Sequence, residues 1–183
     1  EISHSKKALL RELDEFIISE KPSESFIHIA LSNINYNYYS RKELYLSSKK
    51  VASSHKQILY PEHFFTYRDS IVLNDNTLKN YYTYYQFINR YLDNLADDGH
   101  KKQKAFFNKT SYEHQTQKLR LIDSLITNKQ LHDNLLHNTV KRYLVHADDS
   151  QKEHDLVALF KKLDHNEAHQ KEVERYAHNT AKI

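Results

Sequence analysis

Thirteen histidines are the first side chains in this sequence that could carry chemistry. His165 and His169 are four residues apart, a spacing that puts two imidazoles on one face of a helix, where both could bind a metal ion. Glu172 or His178 could supply a third ligand. The zinc-protease signature also needs a Glu directly after the first His, and Asn166 stands there instead. Solvated histidines on a helix surface explain the pair better, and we predict no metal at this position.

Two His-Asp dipeptides, His132-Asp133 and His154-Asp155, suggest a second chemistry. All-α metal-dependent phosphohydrolases use such a doublet, with another His and Asp, to hold metal ions that activate water. The residues after these doublets are not the small side chains usual in that class. With 13 His in the chain, about one His-Asp pair is expected by chance. A His-Asp metal-dependent hydrolase is therefore an alternative interpretation and not the first.

Tyrosines cluster in two places, and aromatic rings near Lys and Arg can stack on the bases of single-stranded nucleic acid. The two clusters are Tyr36, Tyr38 and Tyr39, and Tyr81, Tyr82, Tyr84 and Tyr85. Rings at helical spacing more often belong to a core, with their hydroxyls at its rim. The basic residues gather elsewhere, between His100 and Lys129. We therefore predict no nucleic-acid binding, and whether this basic stretch binds anything is left open.

The scarcity of Gly and Cys excludes several kinds of site. Both the P-loop and the Rossmann phosphate-binding loop need several glycines, and Gly99 is the only one here. Without Cys the chain has no thiolate nucleophile, no disulfide and no Cys-bound metal. We predict no catalytic, cofactor-binding or metal-binding residue in this segment, and no cofactor.

The elements that carry these side chains are predicted to be helices. Sheet proteins use Gly in hairpin turns and bulges, so a chain with a single Gly favours helices. Helical periodicity recurs with short linkers, which predicts neighbours that pack antiparallel. The predicted fold is all-α, an antiparallel multi-helix array or bundle of about seven to nine helices, with a solenoid-like stack of helical hairpins left open. Residues 1–183 are interpreted as a single helical domain, and no apolar run approaches the roughly 20 residues of a membrane span.

A central helix is predicted over residues 74–95. Apolar residues recur there at intervals of three and four, and three short polar residues precede them as caps. The stripe consists of Leu78, Tyr81, Tyr85, Ile88, Leu92 and Leu95. We expect Tyr85 and Ile88 at the centre of the core, and Tyr84 outside the stripe.

The other predicted boundaries depend on prolines, caps and Gly99. We expect a loop over 96–103 with Gly99 as a helix C-cap, and a capping box from Ser150 to Glu153 that opens a helix. The final helix, after Asn166, is thinly apolar and predicted to lie at the surface. The remaining predicted helices cover about 4–19, 22–39 and 41–59, a short stretch after Pro61, a helix or broken pair over 104–127, and a helix after Asn128.

Three stretches together resemble a known family. They are YPEHFFTYRDSIVLNDNTLKNYYTYYQFINRYLDNL at 60–95, LIDSLITNKQLHDNLLHNTVKRYL at 121–144 and ERYAHNTAKI at 174–183. The pattern resembles the helical region that precedes the redox domain in thioredoxin-like thiol–disulfide oxidoreductases of the TlpA/ResA type. The similar version has a long N-terminal extension and occurs in Bacteroidetes-like bacteria.

The resemblance implies a non-catalytic accessory domain. The family's catalytic residues are a Cys pair in the domain that follows, so a thioredoxin-like domain is expected after residue 183, and none of its catalytic positions can be carried over to a chain without Cys. It also implies a periplasmic or membrane-anchored, periplasm-facing protein, whose segment positions the redox domain or a protein substrate. Two alternatives stay open: a stand-alone helical binding module for protein or single-stranded nucleic acid, and the His-Asp hydrolase.

Overall fold

The computed structural model describes residues 2–53, 59–100 and 108–180. Within them the chain forms helices and no strand, which confirms the all-α prediction. None of these helices is both long enough and apolar enough to cross a membrane. The elements are α1 (Ile2–Glu20), α2 (Glu24–Ser53), a 3₁₀ helix (Thr66–Ser70), α3 (Tyr82–His100), α4 (Tyr112–Leu125), α5 (Lys129–Leu144), α6 (Ser150–Leu163) and α7 (Glu167–Thr180).

The chain divides into two compact units, residues 1–91 and 92–183. The boundary falls inside α3, between Tyr91 and Leu92. Each unit is described separately below. The single domain predicted over 1–183 stays a prediction.

In the first unit α1 packs on α2, which is longer than expected. The two helices predicted over 22–39 and 41–59 are one continuous helix as far as Ser53, and residues 54–58 lie outside the described part. The helix continues through Ser40, at the boundary between the two predicted helices. Ser40 is buried, and its hydroxyl accepts a hydrogen bond from Arg90 over 2.8 Å. Ser47 and Ser48 donate to the carbonyls one turn earlier, which lets hydroxyls sit inside a helix. Tertiary and local hydrogen bonds therefore override the weak helix preference of these serines.

The predicted central helix begins eight residues late, at Tyr82 instead of Asn74. The Asp75 carboxylate accepts from the backbone N–H groups of Thr77 (2.8 Å) and Leu78 (3.3 Å). These bonds form a tight turn, an Asx arrangement that competes with helix formation. Leu78 is buried, as its place in the stripe predicted. It belongs to this turn, however, and not to the helix.

The buried face of α3 is also rotated from the predicted stripe. Ile88 and Leu92 are fully buried as expected, whereas Tyr85 is only half-buried. Tyr84 and Phe87 are buried instead. Tyr84, predicted to lie outside the stripe, is as buried as the residues within it, and Tyr36 of the long helix α2 packs against its ring.

The loop predicted over 96–103 is helical as far as it is described. Residues 96–100, including Gly99, belong to α3, and residues 101–107 lie outside the described part. The helix predicted from residue 104 begins at Tyr112, where the Ser111 hydroxyl accepts the N–H of His114 over 3.2 Å. An N-cap of this kind fixes the helix start by satisfying an otherwise unpaired donor.

In the second unit α5 contacts α4, α6 and α7. Its start follows the prediction, because the Asn128 side chain caps it by accepting the N–H of Leu131. The N-cap of α6 is Asp149 and not the predicted Ser150, since the Asp149 carboxylate accepts the N–H groups of Gln151 and Lys152. The thinly apolar α7 still places Val173 fully in the core. The other fully buried apolar residues of α4–α6 include Leu119, Ile122, Leu135, Leu136, Val140, Leu156 and Phe160.

Candidate functional site

Exposed apolar side chains concentrate in the first unit. Among the described residues, every large apolar side chain that is exposed belongs to this unit except Val145. Contiguous exposed apolar surface commonly marks an interaction site. The set comprises Leu9, Phe16, Ile18, Phe26, Leu44, Tyr45, Val51, Leu59, Phe65, Val72 and Tyr82.

The helical hairpin of α1 and α2 carries the first seven of these residues, from Leu9 to Val51. Leu9 and Phe16 are seven residues apart and share the α1 face of buried Leu13, so the face that packs on α2 is only partly covered. The ring of Phe16 lies 5.5 Å from that of Phe26 on α2. Ile18 is 78% exposed but, nine residues after Leu9, lies on the opposite side of α1. We call Leu9, Phe16 and Phe26 the hairpin apolar surface.

Two of the seven tyrosines in the predicted clusters belong to the core. Tyr36 and Tyr84 are buried, with ring centroids 4.9 Å apart in an edge-to-face arrangement. Both hydroxyls donate to the Val72 carbonyl, Tyr84 over 2.7 Å and Tyr36 over 3.2 Å. Burial raises the pKa of Tyr84. These two rings are covered by protein, while Tyr82 is strongly exposed.

The first unit contains a buried acidic residue, Glu43, that no sequence pattern predicts. The Glu43 carboxylate is fully buried and accepts two hydrogen bonds from Arg68. Arg68 Nε donates to one oxygen over 3.0 Å, and Arg68 Nη2 donates to the other over 2.9 Å. The Tyr67 hydroxyl also donates to Glu43, and burial together with this carboxylate raises the pKa of Tyr67. Nothing in a serine-rich stretch of α2 distinguishes Glu43, since its partners lie 24 and 25 residues away. The network ties α2 to the 3₁₀ helix.

The two His-Asp doublets form local hydrogen bonds. His132 Nδ1 lies 3.0 Å from the neighbouring Asp133 carboxylate, which also accepts from Lys129 over 2.6 Å. Asp155 accepts from Gln151 over 2.9 Å. In the part of the chain that the structure describes, no three His, Asp or Glu side chains are grouped to hold a metal ion.

His165 and His169 do not point to a common site. His165 is exposed, whereas His169 Nδ1 lies 2.9 Å from the buried Asp164 carboxylate. The His169 ring stacks on His137 of α5, with centroids 4.2 Å apart and planes 8° from parallel. His137 Nε2 is 3.3 Å from Glu172, close enough for an ion pair but not aligned for a hydrogen bond.

Several charged side chains of the second unit gather around Asp93 of α3. Its carboxylate accepts from Lys118 Nζ of α4 over 2.5 Å, and both side chains are almost fully buried. His114 Nε2 lies 3.5 Å from the same oxygen. The other carboxylate oxygen of Asp93, Oδ2, is 3.4 Å from Arg142 Nη1 of α5 and 3.8 Å from Lys109 Nζ. We call these five residues the Asp93 cluster.

The electrostatics of the Asp93 cluster follow from burial and from the number of cations. Burial opposes ionisation of Asp93, but Lys118, His114 and Arg142 outweigh it and hold the pKa of Asp93 well below its ordinary value. Burial lowers the pKa of Lys118, and the carboxylate in contact favours its ammonium form. Asp93 is therefore ionised at neutral pH, with three Lys and Arg side chains around it. Two of these, Lys109 and Lys118, come from the basic stretch of the sequence.

Comparison of the chain with protein-family models, curated proteins and solved structures found no match.

Proposed function

We propose that this chain is a non-catalytic helical module that binds a protein partner through the hairpin apolar surface of its first unit. The observation that carries the proposal is the concentration of exposed apolar side chains there. Burying one Leu, Ile or Phe side chain contributes about 1.5–3 kcal/mol. Three such residues on one side of a helical hairpin therefore offer enough apolar surface for a central interface cluster.

The resemblance to the TlpA/ResA type supports a more specific partner. We infer that the partner is a thioredoxin-like domain of the same chain, following residue 183, and that this segment positions it for its substrate. Thiol–disulfide exchange needs a thiolate, and the 183 residues contain no Cys, so the chemistry would belong to the partner domain. The proposed location is the periplasm or the periplasmic face of a membrane.

The coding sequence after residue 183 tests the partner's identity. The proposal expects a Trp-Cys-X-X-Cys segment within roughly the next hundred residues, inside a thioredoxin-like pattern. Its absence would reject the redox partner and leave the stand-alone binding module.

Binding measurements test the surface itself. The encoded redox domain, expressed separately, is titrated into this chain and into the variants Leu9→Ser and Phe26→Ser by calorimetry. We expect each variant to weaken binding by about tenfold, because one buried apolar side chain is lost from the interface. Val145→Ser, an exposed apolar change in the second unit, is the matched control. Unchanged binding by both first-unit variants would reject the hairpin apolar surface as the contact.

A further inference from the structure

Aromatic and basic side chains alternate along one face of α2 in the first unit. Tyr38, Lys42, Tyr45 and Lys49 follow one another at intervals of four, three and four residues, which is the spacing of a single helix face. An α-helix rises about 1.5 Å per residue, so these four side chains span roughly 16 Å of α2. We call them the tyrosine-lysine face.

Both lysines of the tyrosine-lysine face lie over aromatic rings. Lys42 Nζ is 4.4 Å from the ring centroid of Tyr67 and 4.5 Å from that of Phe64. Lys49 Nζ is 5.4 Å from the ring centroid of Tyr45. Attraction to the electron-rich ring faces holds the two ammonium groups in position without neutralising their charge.

A third lysine, from α1, reaches the same face. Lys6 Nζ is 4.8 Å from the ring centroid of Tyr38, and Lys42 Nζ is 5.6 Å from the same centroid. Burial lowers the pKa of both lysines; for Lys42, Glu43 opposes this effect and the charge of Lys6 adds to it. The two ammonium groups therefore repel each other, and a further carboxylate near them would stabilise both.

The acidic residues of the chain do not supply that carboxylate. Within the described residues, no carboxylate lies within ion-pair distance of Lys6, Lys42 or Lys49. Glu43, the acid next to Lys42 in the sequence, is fully buried and bonded to Arg68. The three lysines thus present positioned positive charge to a binding partner.

The geometry favours carboxylates over the bases of a nucleic acid. Bases of a single strand bind by stacking on aromatic ring faces, and the ammonium groups of Lys6 and Lys42 already lie over the ring of Tyr38. Carboxylates need only the ammonium groups, and Lys49 and Tyr45 are exposed. Lys42 and Lys49 are two helical turns apart, roughly 10 Å, which about three residues of an extended peptide span.

We propose that the tyrosine-lysine face, together with Lys6, is a docking surface for an acidic segment of a partner protein. The carboxylates of this segment, at about every third residue of an extended chain, pair with the three lysines. None of these residues belongs to the hairpin apolar surface, so the inference does not depend on the contact proposed there.

Fluorescence anisotropy of a labelled peptide that repeats Glu-Ser-Ser tests the surface, with the whole chain as titrant at low ionic strength. Lys42→Gln and Lys49→Gln are each expected to raise the dissociation constant about two- to fivefold, because a surface ion pair contributes little by itself. Combining both with Lys6→Gln should raise it about tenfold or more. Added salt should weaken binding to the unmodified chain.

The matched control combines Lys7→Gln, Arg120→Gln and Lys162→Gln, which replace three exposed bases outside the face and change the net charge equally. It should bind the peptide nearly as tightly as the unmodified chain. Circular dichroism checks that each variant is folded, and Lys49→Gln, at an exposed position, tests the face even if Lys42→Gln fails to fold.

Three outcomes would overturn the proposal. In the first, the control variant loses as much affinity as the triple variant of the face, which would assign binding to overall charge. In the second, a peptide with Gln in place of Glu binds as tightly as the acidic one. In the third, a labelled oligothymidylate binds more tightly than the acidic peptide and loses affinity with the same lysines, which would assign the face to nucleic acid.

Discussion

At the residue scale, Asp93 and Lys118 form the most deeply buried ion pair described in the second unit. Their contact of 2.5 Å joins α3 to α4. Breaking such a pair is expensive because it leaves one buried charge without its partner. The two residues are not equivalent, however, since Asp93 has further cations around it, Arg142 at 3.4 Å and Lys109 at 3.8 Å.

We therefore predict that Asp93→Asn is more destabilising than Lys118→Met. Asp93→Asn leaves the buried Lys118 ammonium beside Arg142 and Lys109, and should lower the free energy of unfolding by about 3–5 kcal/mol. Lys118→Met fills most of the same volume, and Arg142 and His114 still stabilise the Asp93 carboxylate. Urea unfolding at neutral pH measures the free energy of unfolding of both variants. An equal or larger loss for Lys118→Met would contradict this account of the cluster.

His137, whose ring stacks on His169, should make stability depend on pH. Burial and the nearby His169 lower the pKa of His137, against the opposing effect of Glu172. Below the ordinary His pKa of about 6.5, the unfolded chain binds a proton that the folded chain resists. The stability that neutral His137 provides is therefore present above about pH 6.5 and lost as the pH falls through the lowered pKa.

The corresponding prediction is that the free energy of unfolding falls between pH 7.5 and 5.5, by at most about 1.4 kcal/mol per pH unit for this one proton. His137→Gln should reduce the slope, because the titrating group is removed. Urea unfolding across this pH range measures the slope, and His154→Gln, at an exposed site, is the control. A slope unaffected by His137→Gln would assign the pH dependence to other groups.

At the element scale, the start of α6 depends on a single carboxylate. Asp149 Oδ1 accepts the backbone N–H of Gln151 over 3.0 Å and that of Lys152 over 3.1 Å. The sequence pattern from Ser150 to Glu153 predicts a cap one residue later. Asx residues and serine are almost equally good N-caps, so adjacent candidates compete and the backbone entering the helix decides between them.

Asp149→Ala should lower the free energy of unfolding by about 1 kcal/mol, within the usual range for loss of an N-cap. Ser150→Ala should change it by less than about 0.5 kcal/mol, as is usual for an exposed site that makes no special contact. Chemical unfolding of both single variants compares the two candidates. A larger loss of stability for Ser150→Ala than for Asp149→Ala would show that Ser150 is the N-cap.

At the scale of the whole molecule, the two units carry different surfaces. The first unit has the hairpin apolar surface, and the second has the Asp93 cluster with its exposed cations. Exposed apolar surface suits a protein partner, so the proposed protein contact is assigned to the first unit.

The 183-residue chain is predicted to have no thiol–disulfide activity of its own. It contains no Cys, and exchange proceeds by attack of a thiolate on a disulfide. In an insulin-reduction assay with dithiothreitol, the rate with this chain should equal the rate without protein. A rate above that blank would overturn the non-catalytic assignment.

Local signals in the sequence determined the helical class and several boundaries. The single Gly and the recurring periodicity indicated helices, and Asn128 marked the start of α5. The burial of Ile88 and Leu92 followed from their spacing. These features depend on residues within a turn or two of one another, so the sequence displays them directly.

Only the tertiary structure decided which charges meet and where α3 begins. Glu43 and Arg68 are 25 residues apart, and Asp93 and Arg142 are 49 apart. Their pairing depends on how separate elements pack against one another, and the spacing of residues along the chain does not indicate that packing. The start of α3 was similarly set by competition, because Asp75 caps a turn and the Tyr84 hydroxyl bonds across it to Val72. Helical periodicity sets which residues can share a face, but contacts with other elements select the face that is buried and the charges it holds.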